Sequence, residues 1–274
     1  MGTSSSSVKR QLIKIAMKHL LYLALFAVVL VSCKKDKPDP DPIDPAGQTT
    51  LRIKINTFYE NEPLVFGQTY HNITNYRVNV VDLRMYLAHI YGVRANGETV
   101  SFSDIEFANL TNGEVTLSLG TVPSGNYSEF GFGLGVPEEM NSPANPNFSI
   151  AVFSSDHPLS QNNGMYWTWQ TGYRFVIFDG KYDTDPDGTG LLIPGYSFHT
   201  GKDESYRNVV FQNTSFTVEA NKQNTVYLDL HVDRFYYSET DTIDLAVHNQ
   251  SHGTNQQLSD RVSDIITQAI SFRE

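Results

Sequence analysis

Both tryptophans of this chain, Trp167 and Trp169, lie two residues apart in the run Gly164-Met165-Tyr166-Trp167-Thr168-Trp169-Gln170-Thr171-Gly172-Tyr173-Arg174-Phe175. If that run is extended, the two indoles share a face. Paired indoles can fill a core, form a stacking platform for sugars, or line a metal site as oxidisable groups. Just upstream stands His157, in His157-Pro158-Leu159. Imidazole is the commonest protein ligand for copper and zinc, so the histidines decide whether a metal reading is open. Of the eight histidines, His19 lies near the start; His71, His89, His157, His199, His231, His248 and His252 remain. His157 precedes a proline at a turn. His199 sits in Ser197-Phe198-His199-Thr200-Gly201, a loop-like context after a strand end. His248 and His252 are four apart, which a helix would place on one side, although Gly253 suits a loop equally well. The candidate ligands are therefore His157, His199, His252 and His248.

A second cluster is acidic. Asp183, Asp185 and Asp187 before Gly188 resemble the opening of a calcium loop, D-x-D-x-D-G. Pro194 stands where an EF-hand needs its bidentate Glu, so only a weak calcium site is expected, and a solvated acidic hairpin tip is the bland reading. Hydrolytic machinery has no sequence signature here: there is no G-x-S-x-G, no H-E-x-x-H and no P-loop, and catalysis is not expected. A formal charge of −10 argues against nucleic acid as a partner, because phosphate neutralisation needs a Lys/Arg excess on some face.

The first 32 residues read as an address. Lys9, Arg10, Lys14 and Lys18 precede an uncharged apolar run from Leu20 to Val31, too short to span a bilayer comfortably at about 20 residues. The exit, Leu30-Val31-Ser32-Cys33, resembles a bacterial lipobox, with the chain's single cysteine where acylation requires it. Loss of residues 1–32 leaves no free thiol, which removes Cys-type zinc sites and thiol nucleophiles. Acyl chains on Cys33 would hold the protein to a membrane, since each buried CH₂ contributes about 0.8 kcal/mol. Lys34 after the cysteine resembles sorting to an outer membrane, facing the periplasm or the cell surface. Residues 33–49 follow as the acylated cysteine and an extended Pro/Asp tether, since alternating prolines permit neither helix nor central strand.

Positioning such residues falls to strands. Leu51, Ile53 and Ile55 alternate with Arg52, Lys54 and Asn56. Comparable runs cover Val78–Leu83, Met85–Val93, Val115–Leu119, Phe130–Leu134, Tyr173–Phe178, Phe216–Val218 and Val226–Val232, with turn signals at Asn96-Gly97, Asn112-Gly113, Ser124-Gly125 and Asp187-Gly188. The expected fold class is all-β: one antiparallel β-sandwich with Greek-key-like connections over residues 50–274. One amphipathic helix closes it, with Leu258, Val262, Ile265, Ile266, Ala269 and Ile270 on a single stripe.

The segments His157-Pro158-Leu159, Asn163 to Tyr182 (NGMYWTWQTGYRFVIFDGKY) and Phe198-His199-Thr200-Gly201 resemble the copper-binding MbnP-like family of exported β-rich proteins. Similar stretches run from NEPLVFGQTYHN, beginning at Asn61, to VDRFYYSETDTIDLAVHNQSH, ending at His252. His157, Met165, Trp167, Trp169, Tyr173, Gly180 and His199 match the family pattern, while Asp179 stands where relatives often have Glu and His89 where they carry Asn or Ser. The resemblance implies binding of copper, as Cu(I), through a few histidines, with Trp167, Trp169, Met165 and Tyr173 lining the site or, for an indole, oxidised. It also implies a diheme redox partner that converts a tryptophan to kynurenine. The expected role is a lipid-anchored carrier or sensor in metal handling; the rival readings are a glycan-binding surface module and an adhesive sandwich. The address itself is testable: wild-type protein should incorporate labelled fatty acid and fractionate with membranes, and Cys33→Ser should do neither. A soluble, unlabelled wild type would contradict it.

Overall fold

The computed structural model describes residues 47–141, 153–168, 172–252 and 255–274. Residues 1–46, where an export segment, the acylated Cys33 and most of a tether are expected, and Trp169 lie outside the described residues. Among the described residues no helix is long and apolar enough to cross a membrane.

Among the described residues, fourteen strands make two sheets and a short hairpin arm. They are β1 (Thr50–Tyr59), β2 (Glu62–Pro63), β3 (Tyr70–His71), β4 (Arg77–Arg94), β5 (Thr99–Asn109), β6 (Glu114–Thr121), β7 (Gly125–Leu134), β8 (Tyr166–Thr168), β9 (Gly172–Asp183), β10 (Gly195–Gly201), β11 (Arg207–Val218), β12 (Gln223–His231), β13 (Gln250–His252) and β14 (Ile270–Arg273). The smaller sheet runs β14-β12-β1-β2, with β6 also on β1; the larger runs β11-β7-β4-β9-β10-β13, with β3 and β5 on β4. The result is the expected β-sandwich, with two refinements. The sheets are mixed, because β1 lies parallel to β12 and β10 parallel to β13. The two runs read separately across Val78–Val93 form one 18-residue strand, β4. That strand bulges between Ala88 and Tyr91, where His89 takes φ 46°.

The alternation in β1 is realised without exception: Leu51, Ile53, Ile55, Thr57 and Tyr59 point inward. They meet Val226, Leu228 and Leu230 of β12 and, from the larger sheet, Val78, Val80, Phe130, Phe132, Val176 and Phe178. Each such aliphatic or aromatic side chain contributes roughly 1.5–3 kcal/mol when fully buried. Helix α1 (Gln256–Gln268) adds Leu258, Val262, Ile265 and Ile266 to this core. Its first turn is capped by the Asn255 side chain, which accepts from the Leu258 amide. The apolar stripe read through Ile270 is cut at Gln268, because Ile270 leaves the helix to pair with Leu230 as the start of β14.

Strand β9 is covered on both faces, which explains its unbroken apolar run. Val176 and Phe178 face the sandwich interior. Tyr173, Phe175 and Ile177 face the other way, into a second core with Tyr86, Ala88, Ile105, Val136, Leu159 and Met165. This second core pins residues 153–168 to the outside of the larger sheet. The Tyr86 hydroxyl donates to the Pro158 carbonyl at 3.0 Å, and the buried Tyr173 hydroxyl donates to the Leu159 carbonyl at 2.7 Å. Tyr173→Phe should therefore lower stability by about 1–2 kcal/mol, read as a drop in urea midpoint with unchanged slope. An unchanged midpoint would show that this hydroxyl does not hold the segment.

Candidate metal centre

Period-two geometry places one polar row on the outer face of the larger sheet. Along β10, Tyr196 and Phe198 enter the sandwich core, so Ser197 and His199 point outward. Along β9, Asp179 continues the outward row of Tyr173, Phe175 and Ile177, and the antiparallel register sets it opposite Ser197. Along β13, Ser251 is buried and His252 faces out, and the parallel register sets His252 beside His199. The two imidazole centroids are 4.7 Å apart with planes at 30°.

One hydroxyl joins the group. Ser197 Oγ lies 3.1 Å from His199 Nε2 and 2.9 Å from His252 Nε2, and donates to Asp179 Oδ1 at 2.8 Å. Both Asp179 oxygens lie 3.1 Å from His199 Nε2. A carboxylate only accepts and the single serine proton is used, so the chain of donors runs from His252 through Ser197 to Asp179, with His199 donating to the same carboxylate. Both ring tips thus converge on one spot.

Trp167 forms the wall. Its ring stands edge-on to both imidazoles, at 6.1 Å from His199 and 6.0 Å from His252. The Arg174 guanidinium covers it at 5.2 Å from the ring centroid and donates to the Gly164 carbonyl at 2.9 Å. Strand β8 carries Trp167 here because Tyr166 pairs with Tyr173, and Tyr166 packs against Tyr173 at 5.3 Å. The cationic form of His252 is disfavoured first by burial and then by His199, with Arg174 acting in the same sense against Asp179.

The other residues singled out in the sequence lie elsewhere. His157 stacks on Phe153 at 4.3 Å, and its Nδ1 accepts from the Leu159 amide at 3.0 Å. His248 sits in the turn before β13, its amide bonded to the Asp244 carbonyl. Neither has a described contact with the His199–His252 pair. Met165 and Tyr173 are fully buried in the second core and serve the scaffold beneath the site. His89 pairs with Glu139 at 2.9 Å, and His71 Nε2 lies 3.2 Å from the Pro186 carbonyl. Among the described residues, no three imidazole, carboxylate or thiol groups already stand at chelating spacing.

The acidic loop wraps an internal cation instead of an open cavity. The largely buried Arg77 pairs with Asp183 and donates to the carbonyls of Asp185 at 3.1 Å and Gly190 at 3.0 Å. The Asp185 amide, and then Arg77, hold the Asp183 carboxyl below its usual range. Asp185 and Asp187 are tied by side-chain-to-amide bonds within the loop. A calcium ion would have to displace the guanidinium to use Asp183.

Asp179, Ser197 and Arg174 were not candidates from the sequence. The available signal was the S-x-H spacing of Ser197 and His199, which a strand puts on one face. The pH behaviour follows from His252. Its folded pKa lies below the ordinary 6.5, so the unfolded chain binds the proton more readily and stability is lost as pH falls from about 6.5 through the folded value. An imidazole titration by NMR on metal-free protein should place the His252 midpoint below that of a free histidine; a midpoint at or above it would contradict the packing.

The MbnP family model matches residues 48–258. Among solved structures, MbnP from Methylosinus trichosporium is similar at 16% identity, covering 71% of this chain and 79% of that one with a TM-score of 0.46. No curated protein matches significantly. With the family model spanning most of the sequence, the chain belongs to the MbnP family.

Proposed function

We propose that this protein is a lipid-anchored copper-binding protein, a carrier or sensor in metal handling at the outer membrane, without catalysis of its own. The observation that supports it is the pairing of His199 and His252, both ring tips within 3.1 Å of one serine oxygen, against the Trp167 wall. A cuprous ion accepts few ligands and neutral imidazoles; with the one cysteine set aside for acylation, imidazoles and methionine thioethers remain as donors, and Met85 and Met165 are buried in the two cores. The donor set fits that ion when each ring carries its proton on Nδ1, so that the Nε2 lone pairs replace the Nε2–H bonds to Ser197 and Asp179 of the metal-free state. His252 resists protonation, so a metal competes with fewer protons for its lone pair. The His199 side chain is only 14% exposed, which limits competing water.

His199 and His252 are the assigned ligands, and Trp167 lines the site. His157 and His248 are relegated to supporting the segments around it. A diheme redox partner, expected from the family resemblance, would find Trp167 at this face. The glycan reading loses ground because the indole is covered by Arg174 and edged by two imidazoles, so it offers no open platform.

Competitive titration of the full-length protein with Cu(I) against a chelator tests the assignment. One ion should bind per chain. His199→Ala and His252→Ala should each weaken binding by more than the roughly 10–100-fold typical of losing an outer-shell partner, and His157→Ala should leave it unchanged. Equal losses at His157, or none at the pair, would remove the assignment.

A further inference from the structure

We propose that Asp179 selects the oxidation state of the bound metal, holding the site open to the divalent ion as well as the cuprous one. This inference rests on the copper reading and concerns an anionic group in contact with the imidazole pair. The Asp179 carboxylate meets His199 Nε2 through both oxygens and reaches His252 through the Ser197 hydroxyl. It acts through charge and positioning, since the described residues present no third ligand at chelating spacing.

The surrounding charges make the carboxylate decisive. Asp82, opposite Asp179 on β4, is engaged by the Arg84 guanidinium through both of its oxygens. Arg174 lies over Trp167 with its positive charge disfavoured, first by burial and then by Arg84. Asp179 and then Asp82 oppose that effect, and Asp179 is the one of the two that also meets His199. A metal held by His199 and His252 therefore sits beside a carboxylate that stabilises each added positive charge in a partly dry setting. Two neutral imidazoles alone favour the monovalent ion. With Asp179 beside it the same pair would tolerate the divalent one.

The test compares the full-length wild type with Asp179→Asn and Asp179→Glu. Asn keeps the shape and removes the charge, and Glu keeps the charge. Reduction potentials are measured on the copper-loaded proteins, and Zn(II) binding is measured by calorimetry as a readout free of redox chemistry. Asp179→Asn should reduce the Cu(II)-to-Cu(I) affinity ratio at least tenfold, which raises the potential by about 59 mV for one electron. It should weaken Zn(II) binding by a similar factor and leave Cu(I) affinity within a few-fold. Asp179→Glu should restore most of both. A potential and Zn(II) affinity that Asp179→Asn leaves in place, or that Asp179→Glu alters as much as Asp179→Asn does, would overturn the role of Asp179 alone. Failure of the wild type to take up Cu(I) would overturn the copper reading itself.

Discussion

The parallel pairing of β10 with β13 is the constraint on which the site depends. In a parallel ladder, register alone decides which side chains stand abreast, and here it sets His199 against His252. The residues are 53 positions apart in sequence, so no local preference brings them together. Two features fix the register. The Ser197 amide donates to the Asn249 carbonyl at 2.8 Å, and the Asn249 side chain donates to the Tyr182 hydroxyl at 3.0 Å. A slip of one residue would turn His252 into the sandwich and bring Ser251 out, and the pair would vanish. Helix α1 follows β13 directly and anchors the edge by burying its apolar stripe in the main core.

The second layer of design is the outer core over β9. A sandwich needs only one core, and a strand of the larger sheet would ordinarily show a polar outer face. This chain spends Tyr86, Tyr173, Phe175 and Ile177 on the outside of that sheet and covers them with residues 153–168. The cover brings Trp167 to the imidazoles. The aromatic-rich run that drew attention in the sequence therefore does two jobs. Met165 and Tyr173 serve packing, while Trp167 reaches the polar row. Asp179 marks the border, where the outward row of β9 changes from apolar to charged.

Much of the fold was legible because strand alternation is a local signal. β1 and β12 follow the period-two pattern closely, and the amphipathic stripe of α1 is plain. β5 escaped notice because its alternation changes phase at Ser103-Asp104: Val100 and Phe102 are apolar on one parity and Ile105 and Phe107 on the other, with a register shift beside Phe102. The two parallel pairings were also hidden, since pairing direction is decided by tertiary topology. The site was half legible. Histidine and tryptophan chemistry marked His199, His252 and Trp167, yet His157 stood out equally, because proximity in sequence to the indoles imitates proximity in space. Asp179 and Ser197 carry no such mark, since their importance arises from cross-strand register. The calcium-like spacing of Asp183, Asp185 and Asp187 was misleading for a related reason: its partner, Arg77, comes from a strand about a hundred residues earlier.

The most direct measurement of the central claim is heteronuclear NMR of the imidazole nitrogens during Cu(I) addition, which leaves the protein diamagnetic. The account predicts that the resonances of His199 and His252 move together and saturate at one equivalent, with the Trp167 indole shifting alongside and the remaining histidines still. Shifts confined to one ring of the pair, or centred on His157 or His248, would contradict it.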